Sequence, residues 1–141
     1  MKHTKLFIFL LMIGFAAACS QSDTENEASA IQQDDTMESP EQFEKELAAL
    51  EAEDESTEIL AQKEQTHLRY GIYLIYTADP SNMRENANDA LRQFIEVLKI
   101  NPENEKAKSE IEQILGIYRT FPDRKPADDV VEDLQELGFE L

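Results

Sequence analysis

The chain has 141 residues, of which 41% are hydrophobic and 30% are charged. This length allows one small domain, and the single cysteine excludes a disulfide bond within the chain. The 30 Asp and Glu against 13 Lys and Arg give a formal net charge of −17, which opposes binding to nucleic acid and to anionic lipid head groups. The same acidity suits a basic partner or a divalent cation, or it serves only solubility or adaptation to a salty environment.

The first 18 residues have the pattern of a secretory signal. Lys2 and Lys5 form a basic head, an apolar run covers residues 6–15, and small residues follow it. The apolar run is too short for a membrane-spanning helix, which needs about 20 such residues. We therefore predict that residues 1–18 are a leader that is removed.

The end of this leader, Ala16-Ala17-Ala18-Cys19, resembles the lipobox of bacterial lipoproteins, although an aliphatic residue is more usual at its first position. The resemblance implies that cleavage falls between Ala18 and Cys19 and that the Cys19 thiol receives a diacylglyceryl group. It also implies the outer membrane, facing the periplasm, because Ser20 stands where Asp would retain a lipoprotein in the inner membrane. The alternative is an ordinary cleaved signal with Cys19 merely near the cut.

The segment after the leader is strongly acidic. The leader holds two lysines and no acid, so the remaining 123 residues carry 11 Lys and Arg against 30 Asp and Glu, a formal net charge of −19. Residues 20–36 are polar and lack aromatic residues, so they cannot bury enough surface to offset the entropy of ordering. We predict a disordered tether over residues 19–38, in which residues 20–36 alone reach about 55–60 Å when fully extended.

A short amphipathic helix is predicted over residues 39–55. Ser39 suits the N-cap, Pro40 the first helical position, and Gln42 the last position of a capping box. Apolar residues at spacings of four and three then share one face, namely Phe43, Leu47 and Leu50. The helix either pads the main domain or occupies a groove until a partner displaces it.

A helical domain is predicted over residues 56–141, beginning with a helix from Ser56 or Thr57 to Ala78. Its apolar stripe at helical spacing comprises Leu60, His67, Leu68, Gly71, Leu74, Ile75 and Ala78. Residues 70–76 are rich in aromatic and β-branched residues and also suit a strand. The helical interpretation is favoured because helical pattern precedes this stretch and no partner strand is evident.

Three further helices follow at short intervals. The third is expected over residues 83–100, with an apolar face of Met83, Ala87, Ala90, Leu91, Phe94, Val97 and Leu98. The fourth is expected to begin with Asn101 as N-cap and Pro102 at its first position, with an inner face of Ala107, Ile111, Ile114, Leu115 and Tyr118. The fifth is expected over residues 126–137, with Gly138 at its C-cap and an inner face of Val130, Val131, Leu134 and Leu137. The chain shows no hairpin signal for strands, so we predict an all-α fold of antiparallel neighbours.

The second and third helices resemble the helix pair of a tetratricopeptide repeat. Tyr70-Gly71 resembles the large-then-small pair of the first helix, Ala90 and Phe94 the small and aromatic residues of the second, and Pro102 the closing proline. About seven extra residues separate the two helices, and the match covers roughly 60 residues, whereas stable solenoids usually need three or more repeats of 34 residues. The resemblance implies short antiparallel helical hairpins that bind other proteins.

The sequence offers no residue set for catalysis, a cofactor or a metal. His67 is the only histidine after the leader, and no His, Cys or carboxylate cluster has metal-ligand spacing. Tyr73 and Tyr76 are predicted on the less buried side of the second helix, where tyrosine either contacts a partner or fills gaps between helices.

We therefore expect a lipid-anchored, non-catalytic scaffold module. It holds an unidentified protein or copies of itself, is attached to the membrane through its N-terminal lipid, and binds no nucleic acid. The alternative is an accessory lipoprotein that binds a small ligand or a cation in a helical cleft.

Overall fold

The computed structural model describes residues 38–121 and 123–141. This part of the chain is all-α, as the apolar period predicts, and contains no strand. Its helices are α1 (Pro40–Glu51), α2 (Thr57–Tyr76), α3 (Met83–Ile100), α4 (Glu105–Arg119) and α5 (Asp128–Glu136), with a 3₁₀ turn at Pro80–Asn82 before α3. The predicted leader, Cys19 and nearly all of the predicted tether lie outside the described residues. None of the helices in the described ranges is long and apolar enough to cross a membrane.

The start of α1 confirms the predicted capping box. Ser39 Oγ accepts a hydrogen bond from the Gln42 backbone N–H at 3.4 Å, and Gln42 Oε1 accepts one from the Ser39 N–H at 3.1 Å. These two bonds satisfy donors that have no partner inside the helix. Phe43 is fully buried and Leu47 packs against the core, so the predicted apolar face is the inner one.

The N-terminal half of α1 lies beside the C-terminal half of α2. The Phe43 ring stacks on Tyr70, with 4.9 Å between centroids and 11° between ring planes. Further along α1, Glu46 Oε1 accepts a hydrogen bond from the Thr66 hydroxyl at 2.8 Å. Since Thr66 precedes Tyr70 by one turn, the two helices run antiparallel.

Helices α2 and α3 approach each other closely at a glycine. Gly71 is buried, and a Cβ atom added there would lie 2.5 Å from Cε1 of Phe94. Two turns earlier on α2, Glu64 Oε1 accepts a hydrogen bond from Asn101 Nδ2 at 2.8 Å. The pairing therefore runs in opposite directions along the two helices. The stretch that also suited a strand, residues 70–76, lies inside α2.

Helix α3 is the central element of the described part, because α2, α4 and α5 all pack against it. Its inner face holds Ala90, Leu91, Phe94, Ile95, Val97 and Leu98, all buried in one core cluster with residues of the other helices. The sequence correctly predicts five of these six and misses Ile95. Met83 was expected on the inner face, but it is 68% exposed because it occupies the first position of α3.

The predicted start of α4 is wrong by three residues. Asn101 is the C-cap of α3, and Pro102 lies in the following turn, where it is exposed. The N-cap of α4 is Asn104, whose Oδ1 accepts a hydrogen bond from the Ala107 N–H at 2.9 Å. Both asparagines also donate to Glu64 of α2, so the turn is fixed by a contact that local sequence does not show.

Helix α5 begins two residues later than predicted and ends one residue earlier, at Glu136, so Leu137 is its C-cap and the predicted glycine follows the cap. Gly138 has φ of +87°, which glycine adopts without steric cost. Its N–H donates to the Gln135 carbonyl at 3.0 Å, and the Phe139 N–H donates to the Leu134 carbonyl at 2.9 Å. Phe139 folds back against the core cluster, so this last turn is closed by both hydrogen bonds and apolar contact.

Gly71→Ala should lower the free energy of unfolding by about 1–2 kcal/mol. The new methyl group would overlap a fully buried ring, and overpacking of this kind costs about 1–3 kcal/mol, against about 0.5–1 kcal/mol gained from alanine's better helix propensity. Urea denaturation followed by circular dichroism measures the change.

The matched control is Gly116→Ala in α4, where a Cβ atom would meet nothing within 4 Å. That variant should gain about 0.5–1 kcal/mol from helix propensity alone. Equal effects of the two substitutions would mean that the contact between Gly71 and Phe94 is not close in solution.

Candidate binding groove

An open apolar groove of about 620 Å³ lies where three elements meet. These are the C-terminal end of α2, the 3₁₀ turn with the start of α3, and the C-terminal end of α4. Its apolar lining includes Leu74, Ile75, Met83, Ile114, Ile117 and Phe121. The volume falls within the range of about 300–1,000 Å³ that is usual for binding sites.

Most of the exposed large apolar side chains of the described part converge on this groove. Tyr76, Met83, Ile117 and Phe121 are 57%, 68%, 56% and 46% exposed, and all four line it. Leu141 is the fifth exposed large apolar residue in these ranges, and it lies outside the groove lining. Grouped apolar exposure of this kind marks an interaction site more often than scattered single residues do.

The charge of the groove differs from that of the rest of the chain. None of its described lining residues is Asp or Glu, although the chain has 30 of them, and two arginines, Arg84 and Arg124, stand in the lining. Arg124 Cζ lies over the Phe121 ring, 5.0 Å from its centroid. This arrangement leaves the guanidinium edge available for a hydrogen-bond acceptor.

Tyr76 stands at the edge of the groove and is held there by a polar network. Its hydroxyl donates to Glu110 Oε2 at 3.0 Å and accepts from Gln113 Nε2 at 2.9 Å. Glu110 is only 3% exposed and also pairs with Lys106. The network satisfies the hydroxyl within the protein, so the ring is the part of Tyr76 left for a partner.

Tyr73, the second predicted partner-contact residue, lies elsewhere. It is half-buried, and its ring tilts against the Phe43 ring of α1 with 5.6 Å between centroids. The structure therefore does not bring Tyr73 and Tyr76 together on one surface. No residue of α1 lines the groove.

The residues that carry the repeat resemblance lie in the core and at one turn. Gly71 and Phe94 meet directly, and Ala90 is fully buried one turn before Phe94. Tyr70 stacks on Phe43, and its hydroxyl points to Glu44 Oε1 at 3.5 Å. Pro102 follows α3. These residues support packing and do not line the groove.

The histidine and the acidic side chains of the described part are candidates for catalysis and metal binding. His67 is half-buried, with its Nδ1 2.8 Å from Gln93 Oε1 on the neighbouring helix, which is a packing arrangement. Within the described ranges, no group of three or more His, Cys, Asp or Glu side chains is placed to hold a metal ion.

Sequence reasoning missed the groove as such. It assigned Met83 to the core and gave no binding role to Ile117, Phe121 or the two arginines. The sequence did contain one signal. The inner stripe of α4 includes Ile114 and Leu115, and Ile117 is a large apolar residue that falls outside this stripe. Such a residue becomes informative only when the neighbouring helix ends are known.

Comparisons with known proteins found no match among protein-family models, curated proteins or solved structures. The resemblance to a tetratricopeptide repeat therefore stays a prediction from the residues that carry it.

The phenol of Tyr70 should make stability depend on pH in the alkaline range. Burial, together with the nearby carboxylates of Glu44 and Asp89, raises the pKa of Tyr70 from 10.0 to about 12. Because the folded state favours the neutral phenol, its stabilisation is complete below pH 10 and is lost as the pH rises through about 12. This loss amounts to about 2–3 kcal/mol of unfolding free energy.

Urea denaturation across this pH range, for the wild-type chain and for Tyr70→Phe, isolates the contribution of the phenol. The wild-type chain should lose more stability than Tyr70→Phe as the pH rises. Parallel losses in the two proteins would contradict the assignment, and tyrosinate absorbance provides a direct check of the titration.

Proposed function

We propose that this chain is a lipid-anchored, non-catalytic interaction module of the bacterial cell envelope, which binds a protein partner in its apolar groove. One observation carries the binding part of the proposal. Four of the five exposed large apolar side chains in the described ranges line a single groove, and none of the described residues of its lining is acidic. Exposing them costs solubility, and a partner that covers them would remove that cost.

The anchor part of the proposal rests on the leader and on Cys19. A lipid on Cys19 would attach the chain to the outer membrane, facing the periplasm, and the acidic tether of residues 20–36 would then separate the helices from the head groups. The tether enters the described part at Glu38, which pairs with Arg69 of α2 at 2.9 Å.

The scaffold part of the proposal rests on the packing of α2 and α3. Their close approach at Gly71 and Phe94 is what the small-residue position of a tetratricopeptide repeat would require. A rigid helix pair suits a binding site because its side chains are held in place before the partner arrives.

A small ligand is the second candidate, and the concave shape of the groove favours it. The volume of about 620 Å³ is ordinary for a small-molecule site lined by apolar residues and a few polar groups. A cation is less well matched to this place, because the described lining holds two arginines and no carboxylate.

Photo-crosslinking in cells tests the groove. A photoreactive amino acid replaces Ile117 in the lining, or Gln65 on the exposed side of α2 as a matched control. The expected result is a discrete protein adduct from position 117 that position 65 does not give. The same adducts at both positions, or none at position 117, would contradict protein binding at the groove, and a ligand-induced rise in melting temperature would then favour the second candidate.

The Cys19→Ser variant tests the anchor in the same cells. The wild-type protein should enter the detergent phase on phase separation, and Cys19→Ser should stay in the aqueous phase. Entry of Cys19→Ser into the detergent phase would make the anchor wrong, whatever the crosslinking at Ile117 shows.

A further inference from the structure

The basic side chains of the described part fall into two groups. Seven of its eleven Lys and Arg residues lie within 4.0 Å of a carboxylate. The four without such an ion pair are Lys45, Lys63, Arg84 and Arg124, and the two arginines are the ones that line the groove.

The contrast is clearest along α3. Arg92 binds Asp89 at 2.6 Å and Asp129 of α5 at 2.9 Å, and Lys99 binds Glu96 and Asp133 in the same way. Arg84, at the start of the same helix, has no such carboxylate among the residues that the structure describes. In a chain with a net charge of −17, nearby acids neutralise the cations elsewhere on the helix but not the one at the groove.

We propose that the groove accepts an acidic amphipathic segment of a partner protein. This inference rests on the function proposed above and names the chemistry of the partner. Apolar side chains of the segment fill the space between Met83, Ile117 and Phe121. Carboxylates on its flanks pair with Arg84 and Arg124, whose guanidinium groups suit carboxylates through paired hydrogen bonds.

A basic segment fits the groove less well, despite the acidity of the chain as a whole. At about 0.15 M salt, charges separated by more than about 8 Å are largely screened from one another. The contacts made at the groove itself therefore decide the preference, and there a lysine would face Arg84 or Arg124 with no carboxylate in the described lining to offset the repulsion.

A pair of synthetic helical peptides tests this preference. Both carry leucines at positions i, i+4 and i+7, and they differ only in having glutamates or lysines at the flanking positions. Binding to the mature chain carrying Cys19→Ser is followed by fluorescence anisotropy at about 0.15 M salt. The glutamate peptide should bind about tenfold more tightly than the lysine peptide, since hydrogen bonds to charged groups support a difference of that size.

Matched variants locate the effect. Arg84→Gln combined with Arg124→Gln should weaken the glutamate peptide about tenfold and leave the lysine peptide unweakened. Lys45→Gln combined with Lys63→Gln makes the same change in net charge outside the groove lining, and it should alter the binding of the glutamate peptide less than about twofold.

The peptide experiments and the crosslinking at Ile117 can fail independently of each other. Tighter binding of the lysine peptide, or no effect of the two arginine substitutions, would overturn the acidic preference while crosslinking at Ile117 still supported a protein-binding groove. Failure of both peptides together with no adduct at Ile117 would remove both proposals. Tighter binding of the glutamate peptide after deletion of residues 20–36, or dissociation of a dimer by that peptide, would assign the groove to the chain's own tether or to a second copy.

Discussion

The contact between Gly71 and Phe94 is the constraint on which the rest of this structure depends. Without a Cβ atom at position 71, the buried ring of Phe94 lies directly against the backbone of α2. This contact sets the distance between α2 and α3, and α4 and α5 then pack on the remaining faces of α3. It also fixes where the C-terminal end of α2 lies relative to the start of α3, and these two ends form two sides of the groove.

Charge is distributed so that the groove stays distinct from its surroundings. Elsewhere, cations such as Arg69, Arg92 and Lys99 are held by two carboxylates each. Exposed pairs of this kind contribute little to stability, but they neutralise the cations that a partner would otherwise meet. Arg84 and Arg124 instead lie next to apolar side chains of the groove. A surface that combines apolar area with an available cation favours an acidic amphipathic partner over acidic molecules that lack an apolar face.

The sequence predicts most of this fold, because its signals are local. The period of 3.6 residues places all five helices, Ser39 and Gln42 specify the start of α1, and Gly138 specifies the end of α5. The start of α4 was missed because both Asn101 and Asn104 suit the N-cap. Asn104, which is the N-cap in the structure, also contacts Glu64, 40 residues earlier in the chain, and local sequence does not show this contact. The groove was missed for a similar reason: Met83, Ile117 and Phe121 are far apart in the chain, and nothing local shows that their helix ends meet.

A double-mutant cycle of Gly71→Ala and Phe94→Leu tests most directly whether this contact governs the packing of α2 on α3. The unfolding free energies of the wild-type chain, the two single variants and the double variant are measured by urea denaturation. Gly71→Ala should cost at least about 1 kcal/mol less when residue 94 is the smaller leucine, because the ring that the new methyl group overlaps is gone. Costs that add to within about 0.5 kcal/mol would contradict this expectation, because independent sites behave in that way.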